Sequence, residues 1–577
     1  MNEINDKIII KGKNFKKEIF LKKYIEQNSK KFKKIYLDLI YNFSNLKVNN
    51  KRIKEHYNIL YNHNLWEMSL IQEKNTLKSK SIFSVIKFIA CCDLIRKHKK
   101  KKFFFYLNDE LLLDALKLFS KKNNFLLNFN QITKKKKLFS FVLLSSIVNI
   151  FKYIIKNILL VPKKKFANLN KEFLILSYFA HYEKKGENIK FSMWNGIEKI
   201  INKKKISWLQ IFIPNKEFFN VHDIGKINKL KNDRKLNFIS NYLTLGILFF
   251  VIIDYIKFII KYFLVIKKIK IENNNLIKFL INIQQRDLDE SFLGFHLFEN
   301  LIWIHVFENL FSKITKKKLG FYSFENQNWE KAFVTAWKNN NHGKIIGYLP
   351  TSVNYWHLNY FHSKHELNKK NFFFAPDIVL SNGYFNTKCL KNFNLYKINL
   401  KEVESFRYNK LYNLQSEKLK SPKNNKVLFL GDYLEEVNKS FLDFFSNQKP
   451  KKNNLKLFIK PHPSSLFFFN KEVIKKYDFK CINSPLSSLS KNFSTIISSN
   501  STSAGIEYLM LGREILVFDN SDGFDLSPFK NSNLSYLKSF DQIIKFQERK
   551  SKTQKYKKYY YVDYRLRKWK KFIREIN

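Results

Sequence analysis

Through most of this sequence, short apolar runs alternate with longer amphipathic stretches. A strand buried on both faces reads as a continuous apolar run and a covering helix as an amphipathic one, so the alternation predicts βαβ units and parallel sheets. The runs expected as strands in the first part of the chain are KIYLDLIYNF (34–43), KFFFYL (102–107), EFLILSYFAHY (172–182), ISWLQIFIP (206–214), LGFYSFEN (319–326), KIIGYLPT (344–351) and DIVLSNG (377–383). A second series follows the polar, proline-containing QSEKLKSPKNN (415–425): KVLFLGDYL (426–434), LKLFIK (455–460), STIISS (494–499) and EILVFD (514–519). At 577 residues the chain exceeds what one hydrophobic core organises. The polar segment then reads as the linker between two doubly wound α/β domains, residues 1–414 and 426–577.

LFIKPHPSS (457–465) ends an expected strand at a histidine flanked by two prolines. In an open α/β sheet, ligands bind beyond the carboxyl ends of the strands, where His462 would project. The prolines restrict φ and remove donors, so the imidazole sits on a stiff turn, able to donate to a phosphate oxygen with the charge of Lys460 nearby. The competing reading is a surface turn that holds a histidine by chance. STIISSNSTSAGIEYLMLGREILVF (494–518) reads as strand, hydroxyl-rich turn, helix, glycine stop at Gly512, and strand. Ser499, Asn500, Ser501, Thr502 and Ser503 surround the helix start, where unpaired N–H groups favour an anion. Capping alone needs one of these hydroxyls. Glu507, one turn further, is placed to accept hydrogen bonds from ribose hydroxyls or to be a solvated helix residue. The two turns, expected on neighbouring strands, together describe a cradle for a nucleoside mono- or diphosphate.

Two apolar segments interrupt the N-terminal half, near 138–165 and 236–270. LFSFVLLSSIVNIFKYIIKNILLV (138–161) lies between lysine clusters, and a related stretch runs from Tyr242 to Ile266. Asn149, Lys152 and Lys156 in the first, and Asp254, Lys257 and Lys261 in the second, fall at i, i+3, i+7, which puts each trio on one helical face. The longest uncharged run of the second, Tyr242 to Ile253, is 12 residues, whereas a spanning helix needs about 20. Helices lying in a membrane interface with lysines toward the headgroups fit that pattern. Helices packed on a domain and wet on one side are the alternative.

Lys plus Arg outnumber Asp plus Glu by 105 to 48, a formal charge of +57, which suggests phosphate-bearing ligands or an anionic membrane surface. Gly (14) and Pro (10) are scarce while Lys, Asn, Ile and Phe are abundant everywhere, so part of that charge is a compositional bias. No zinc-finger, RNP or basic-zipper pattern accompanies it, and no nucleic-acid partner is expected. Cys91, Cys92, Cys389 and Cys481 have neither metal-ligand nor disulfide-framework spacing, which suits a reducing compartment. MNEINDKIIIKGKNF lacks the apolar core of a signal peptide. The expectation is a cytoplasmic protein, peripheral to the inner face of the cytoplasmic membrane.

The C-terminal half resembles the donor-binding domain of GT-B glycosyltransferases with His-Pro and Ser/Thr motifs. These build bacterial capsules and surface glycans and include sialyl-, polysialyl- and Kdo transferases and the glycerophosphate polymerases of teichoic acid synthesis. FYSFENQNWEKAFVTAWKNNNHGKIIGYLPTSVNYWHLNYF (321–361), VLFLGDYL, IKPHPSS, SNSTSAGIEYLMLG and DGFDLSPFK (522–530) resemble more closely the surface carbohydrate biosynthesis proteins. The resemblance covers most of 172–577 and only loosely 1–165. It implies a GT-B-like pair of Rossmann-like domains facing a cleft and inverting transfer from a nucleotide sugar, in one version CMP-linked. The acceptor would be a surface polysaccharide or lipid-linked glycan.

In that scheme His462 and the 499–503 turn hold the donor phosphate, and a carboxylate of the N-terminal domain takes the acceptor proton. Glu325 is the candidate base and Glu187 its rival, because the acidic-acidic-glycine signature of the relatives is not evident. Asn326, Gln327, Tyr355, Trp356 and His357 are candidate acceptor contacts, although the aromatic loop that carries the last three reads also, and rather better, as packing between the domains; Trp329 and Glu330 read better as helix and core residues. Asp525 and Ser527 follow the last strand. No cofactor and no metal are expected, since His, Lys and helix N-termini can neutralise a leaving group. Other readings are a nucleotide-sugar 2-epimerase, a glycerophosphate-type polymerase, and a non-catalytic glycan-assembly scaffold.

Overall fold

The computed structural model describes residues 6–12, 15–98, 101–123, 127–129, 139–159, 169–179, 182–185, 188–212, 235–272, 275–367, 372–392, 399–415, 424–448, 454–482, 484, 486–489, 492–500, 502–519, 524–529, 534–548 and 559–576. The chain starts with a hairpin, β1 (Lys7–Gly12) and β2 (Phe15–Phe20), and two helices, α1 (Leu21–Gln27) and α2 (Ser29–Ser44). After α3 (Ser81–Lys97) come β3 (Lys102–Tyr106) and β4 (Leu127–Phe129). These strands form a small mixed sheet in the order β2-β1-β3-β4, with β1 antiparallel to both neighbours.

Residues 34–43, expected as a strand, lie inside α2. Phe32, Tyr36, Ile40 and Phe43 are all buried. That spacing of three to four residues is the helical period, and no turn residue breaks it, so the apolar content of the run concealed its period.

The N-terminal Rossmann-like sheet follows α4 (Phe139–Leu159). Its strands are β5 (Phe173–Tyr178) and β6 (Ile206–Ile211), then, beyond α5 (Leu245–Glu272) and α6 (Phe295–Lys313), β7 (Leu319–Ser323). Helix α7 (Asn328–Asn339), β8 (Lys344–Tyr348), β9 (Ile378–Ser381) and β10 (Asn399–Glu402) complete it. The order is β6-β5-β7-β8-β9-β10 and every pairing is parallel. Each of β5, β6 and β7 is buried along its whole length, as a strand covered on both faces must be.

The C-terminal sheet contains β11 (Lys426–Leu430), β12 (Lys456–Lys460), β13 (Lys480–Cys481), β14 (Thr495–Ser499), β15 (Leu516–Phe518) and β16 (Ser535–Leu537), with α8 (Ala504–Met510) between β14 and β15. It is again parallel throughout, in the order β13-β12-β11-β14-β15-β16. Numbered within the domain this is 3-2-1-4-5-6, the dinucleotide-binding order, whose direction reverses between β11 and β14. Two Rossmann-like domains of this kind, with helical insertions in the first, are the GT-B arrangement.

The insertions expected near 138–165 and 236–270 correspond to α4 and α5, which both pack on α6. Val251, Tyr255, Phe258, Tyr262 and Val265 form the buried stripe of α5. Opposite that stripe the helix exposes Leu245 (82%), Phe249 (63%), Ile256 and Ile260, and α4 exposes Leu144 (63%) and Phe151 (62%). No helix among the described residues is long and apolar enough to cross a membrane.

The chain ends on the N-terminal domain. Tyr561 bonds across to the backbone at Asn382 and Ser405. A Cβ on Gly383 would lie 2.2 Å from the Tyr559 carbonyl oxygen, so only glycine admits this crossing. The last helix, α9 (Arg567–Ile576), stacks Trp569 on Phe406 with ring centroids 4.6 Å apart and packs it against Tyr348 at 5.4 Å, the rings tilted by 58°. The Glu404 carboxylate accepts from the amides of Lys568 (2.8 Å) and Trp569 (3.0 Å), satisfying two donors of the first turn of α9.

Candidate functional site

At the reversal point of the C-terminal sheet, the loop leaving β11 places Asp432 fully out of solvent. Its amide donates to Asn438 Oδ1 (2.7 Å), its carbonyl accepts from Asn438 Nδ2 (2.9 Å) and from the Ser465 hydroxyl (2.8 Å), and its Oδ1 accepts from the Leu434 amide (2.9 Å). Its Oδ2 accepts from the hydroxyl of Ser499. One aspartate thus ties together the loops that follow β11, β12 and β14. The His-Pro turn and the Ser/Thr turn are not on neighbouring strands, because β11 pairs with both β12 and β14 and lies between them. Two strand spacings separate them, about 10 Å.

His462 is half-buried, and its ring lies 6.2 Å from that of Tyr433, tilted by 68°. Its carbonyl accepts from the Ser465 amide at 2.9 Å, closing the turn. Lys460, the last residue of β12, is half-buried, which lowers its pKa. On the other loop, Asn500 Nδ2 donates to Asp519 Oδ1 at 3.1 Å, and the same oxygen receives Lys22 of α1 at 2.8 Å. The N-terminal lobe therefore closes on the end of β15. Thr502 Oγ1 accepts from the Ala504 amide at 3.3 Å. Ser503 precedes α8 without a side-chain capping bond. Ser501 lies outside the described residues.

Glu507 is not a solvated helix residue. It is buried, and its Oε2 has no hydrogen-bond partner among the described residues. Burial raises its pKa, against the charges of Lys410 and Arg407. Helix α8 can lie this close to β14 because Gly505 has no Cβ, which would sit 2.7 Å from Ile515 Cδ1 and 2.8 Å from Ser498 Oγ.

Across the cleft, the turn after β7 carries Glu325. Glu330 accepts from the amides of Glu325 (2.9 Å) and Asn326 (2.8 Å), fixing the turn. Asn326 is buried with φ +56° and donates to the Asn359 carbonyl, so it is a structural residue of the turn. Gln327 Nε2 donates to Glu325 Oε2 at 2.6 Å. Burial raises the Glu325 pKa, against the Gln327 hydrogen bond and the charges of Lys78 and Arg407. Trp329 is buried, and its Nε1 donates to the Tyr178 hydroxyl at 2.6 Å. Glu187 is outside the described residues.

Tyr355, Trp356 and His357 are packed into the joint between lobes. Trp356 is fully buried, donates to Glu26 Oε1 (3.1 Å) and meets Phe524 of the C-terminal domain with ring centroids 5.0 Å apart. Lys33 Nζ lies 4.4 Å from the Tyr355 ring centroid. Burial, with Lys33 nearby, lowers the His357 pKa to about 4, so the ring is neutral. Asp525 joins the same seam: its amide donates to Glu26 (2.9 Å) and its carboxylate accepts from the Tyr536 hydroxyl (2.7 Å).

Arg407 completes the site, and no sequence signal singled it out. It lies just past β10, half-buried, with its guanidinium 5.5 Å from the Tyr408 ring centroid. Tyr408 first, then Glu507 and Glu325, raise its pKa against burial. Arg407 is thus within electrostatic reach of a buried carboxylate of the C-terminal domain, Glu507, and a half-buried one of the N-terminal domain, Glu325. Asp432 was likewise not among the candidate residues, although an aspartate directly after a buried strand and a glycine is a strand-end signal.

Beside Gln327 a cavity of about 470 Å³ opens between α4, α6 and the carboxyl ends of β5 and β6. Among the described residues, no group of three or more His, Cys, Asp or Glu is placed to hold a metal ion.

No known protein family matches this chain, and no curated protein sequence matches it. Solved structures do align. Anabaena HepE in complex with UDP and glucose is 8% identical over 70% of this chain and 98% of that one, at a TM-score of 0.31. CalG4, the calicheamicin glycosyltransferase, is 8% identical over 70% and 94%, at 0.34. The wall teichoic acid polymerase TagF is 10% identical over 71% and 90%, at 0.29. The fold assignment rests on strand order and direction in the two sheets.

Proposed function

We propose that this chain is an inverting glycosyltransferase that moves a sugar from a nucleotide-activated donor to a surface polysaccharide or lipid-linked glycan. The observation that carries the reading is the strand-order reversal of the C-terminal sheet, where Asp432 ties together the loops that carry His462 and Ser499; the charge of Arg407 is felt by both Glu507 and Glu325. A donor bound at the reversal point of the C-terminal sheet would put its phosphates near Arg407, His462 and the 499–503 turn. The unpartnered Oε2 of Glu507 would receive the ribose hydroxyls. Anionic leaving groups are stabilised by such fixed donors and cations in a water-poor cleft.

Glu325 is the proposed base. Gln327 holds its Oε2 and leaves Oε1 for the acceptor hydroxyl, and burial brings the carboxyl closer to the working pH than a free glutamate. As the acceptor oxygen attacks the anomeric carbon, its proton passes to Glu325 and the bond to the nucleotide breaks. The exposed apolar faces of α4 and α5, on a strongly basic chain, support attachment to the anionic inner face of the cytoplasmic membrane.

The test is thermal unfolding with CMP, CDP, UDP and GDP, because a ligand bound only by the native state raises its stability. One nucleotide should raise the melting temperature in wild type and much less in Glu507→Gln. Glu325→Gln should keep that shift and lose sugar transfer. Absence of any nucleotide effect refutes the proposal. Donor turnover without acceptor would indicate the epimerase, and preference for CDP-glycerol the glycerophosphate polymerase.

A further inference from the structure

The cavity beside Gln327 has two unlike ends. Toward the cleft it is lined by Lys78, Glu299 and Gln327, and Lys78 Nζ bonds Glu73 (2.6 Å) and Gln327 (3.4 Å). Away from the cleft its walls are mostly apolar, including Phe212 past the end of β6, Leu243 before α5, and Ile302, Trp303 and Val306 of α6, with the Ser240 hydroxyl the polar group near Leu243. Its rim on α4 carries Asn149 and Lys152, two of the three residues that the i, i+3, i+7 spacing placed on one face; the Lys156 side chain is outside the described residues. The polar face of α4 therefore borders this cavity, while Leu144, Ile147, Val148, Phe151 and Ile155 of the same helix are exposed. Lys152 makes no hydrogen bond or ion pair with another described residue.

Resting on the transferase reading above, we infer that this cavity is the acceptor's lipid site and holds the first part of a long alkyl or prenyl chain attached to an anionic phosphate head. The head would sit between Lys152 at the rim and Lys78 at the floor, with the acceptor hydroxyl directed past Gln327 to Glu325. The chain would fill the apolar end and leave over the rim onto the outer face of α4. An amphiphile fits this gradient of polarity in a way that a free oligosaccharide does not, since sugar hydroxyls would meet Ile302, Trp303 and Val306 without partners. Charge complementarity selects an anionic head, because Lys152 has no carboxylate partner among the described residues.

The probes are n-alkyl monophosphates from ethyl to dodecyl, each below its aggregation concentration, with inorganic phosphate as control, titrated calorimetrically into the full chain. Affinity should rise about fourfold per added methylene until the cavity is filled. Lys152→Glu, at an exposed position, should weaken dodecyl phosphate by roughly tenfold or more, and Trp303→Glu should do the same. Unchanged ligand-free melting temperatures establish that these variants fold, and if Trp303→Glu fails that check, Lys152→Glu decides. A flat chain-length series, or affinity unmoved by the substitutions, overturns the lipid site. Nucleotide stabilisation of the wild type separates the two readings: present without alkyl phosphate binding, it leaves the transferase and removes only this inference. Alkyl phosphate binding without any nucleotide effect removes the transferase instead.

Discussion

Ser499 donates its hydroxyl hydrogen to the carboxylate of Asp432, joining the ends of β14 and β11 where the strand order of the C-terminal sheet reverses. Asp432 also bonds Ser465 of the loop after β12, the Leu434 amide of its own turn, and Asn438 of the helix that follows. The site is therefore organised by one buried acid that need not touch a ligand.

Asp432→Ala should cost roughly 3 kcal/mol or more, since it strands a buried hydroxyl and opens the loop that three strands share. Ser499→Ala removes one of those bonds and should cost about 1–3 kcal/mol, part of it from the carboxylate left short of a donor. Urea unfolding of the two single variants and the double variant checks this. Coupling between them should be evident as non-additivity.

Asp525 gives the fold a pH dependence of defined sign. Burial raises its pKa to about 6, against the Tyr536 hydrogen bond. An unfolded aspartate titrates near 3.9, so between about pH 4 and pH 6 the native state holds a proton that the unfolded state has lost. Its contribution is fully present below pH 4 and declines as pH rises through 6, by at most roughly 3 kcal/mol. Denaturant unfolding at pH 4.5 and pH 7 should show a smaller loss in Asp525→Asn than in wild type. An equal loss would place the titration elsewhere.

Arg407→Gln should abolish nucleotide-dependent stabilisation while leaving the ligand-free protein folded, because the guanidinium makes no hydrogen bond with described residues. Arg407→Lys should restore part of the effect, as a point charge without the planar fork. Differential scanning calorimetry with and without nucleotide reads both.

The two parallel sheets were legible because strands such as β5 and β7 are short and apolar at every position. The His-Pro and Ser/Thr turns were legible because proline and hydroxyl clusters mark strand ends. What the sequence hid was relational. The apolar run in α2 has helical spacing that its length and composition obscured, and the central place of β11 between the two turns depends on strand order. The packing of Trp356 between the lobes was legible from its aromatic loop after a strand, whereas Arg407 gains its proposed role only from two carboxylates that lie 82 residues before it and 100 after it.

The outer faces of α4 and α5 should bind lipid directly. Phe249→Glu with Phe250→Glu should leave stability within about 0.5 kcal/mol, since both side chains are exposed, yet reduce sedimentation with anionic vesicles. Binding through lysines alone would instead vanish in high salt and ignore these two substitutions. A wild-type protein that never sediments with vesicles would point to a second copy covering the same face, which analytical ultracentrifugation would detect as a dimer.

Helix α9 belongs energetically to the domain it returns to. Trp569 is fully buried among Phe406, Tyr348 and Phe572, and Glu404 binds the amides that begin the helix. Trp569→Ala should cost about 3–5 kcal/mol by cavity formation, and Glu404→Ala about 1–2 kcal/mol through loss of the cap. Because the chain reaches α9 only after passing Gly383, the helix fastens the end of the C-terminal domain to the N-terminal Rossmann-like sheet. Loss of that fastening should widen the cleft as well as destabilise it. Small-angle scattering of Trp569→Ala at a temperature where it remains folded should show a larger radius of gyration than wild type, and nucleotide should bring the two closer. If the scattering curves coincide, α9 is a core element of one domain and does not set the distance between Glu325 and Glu507.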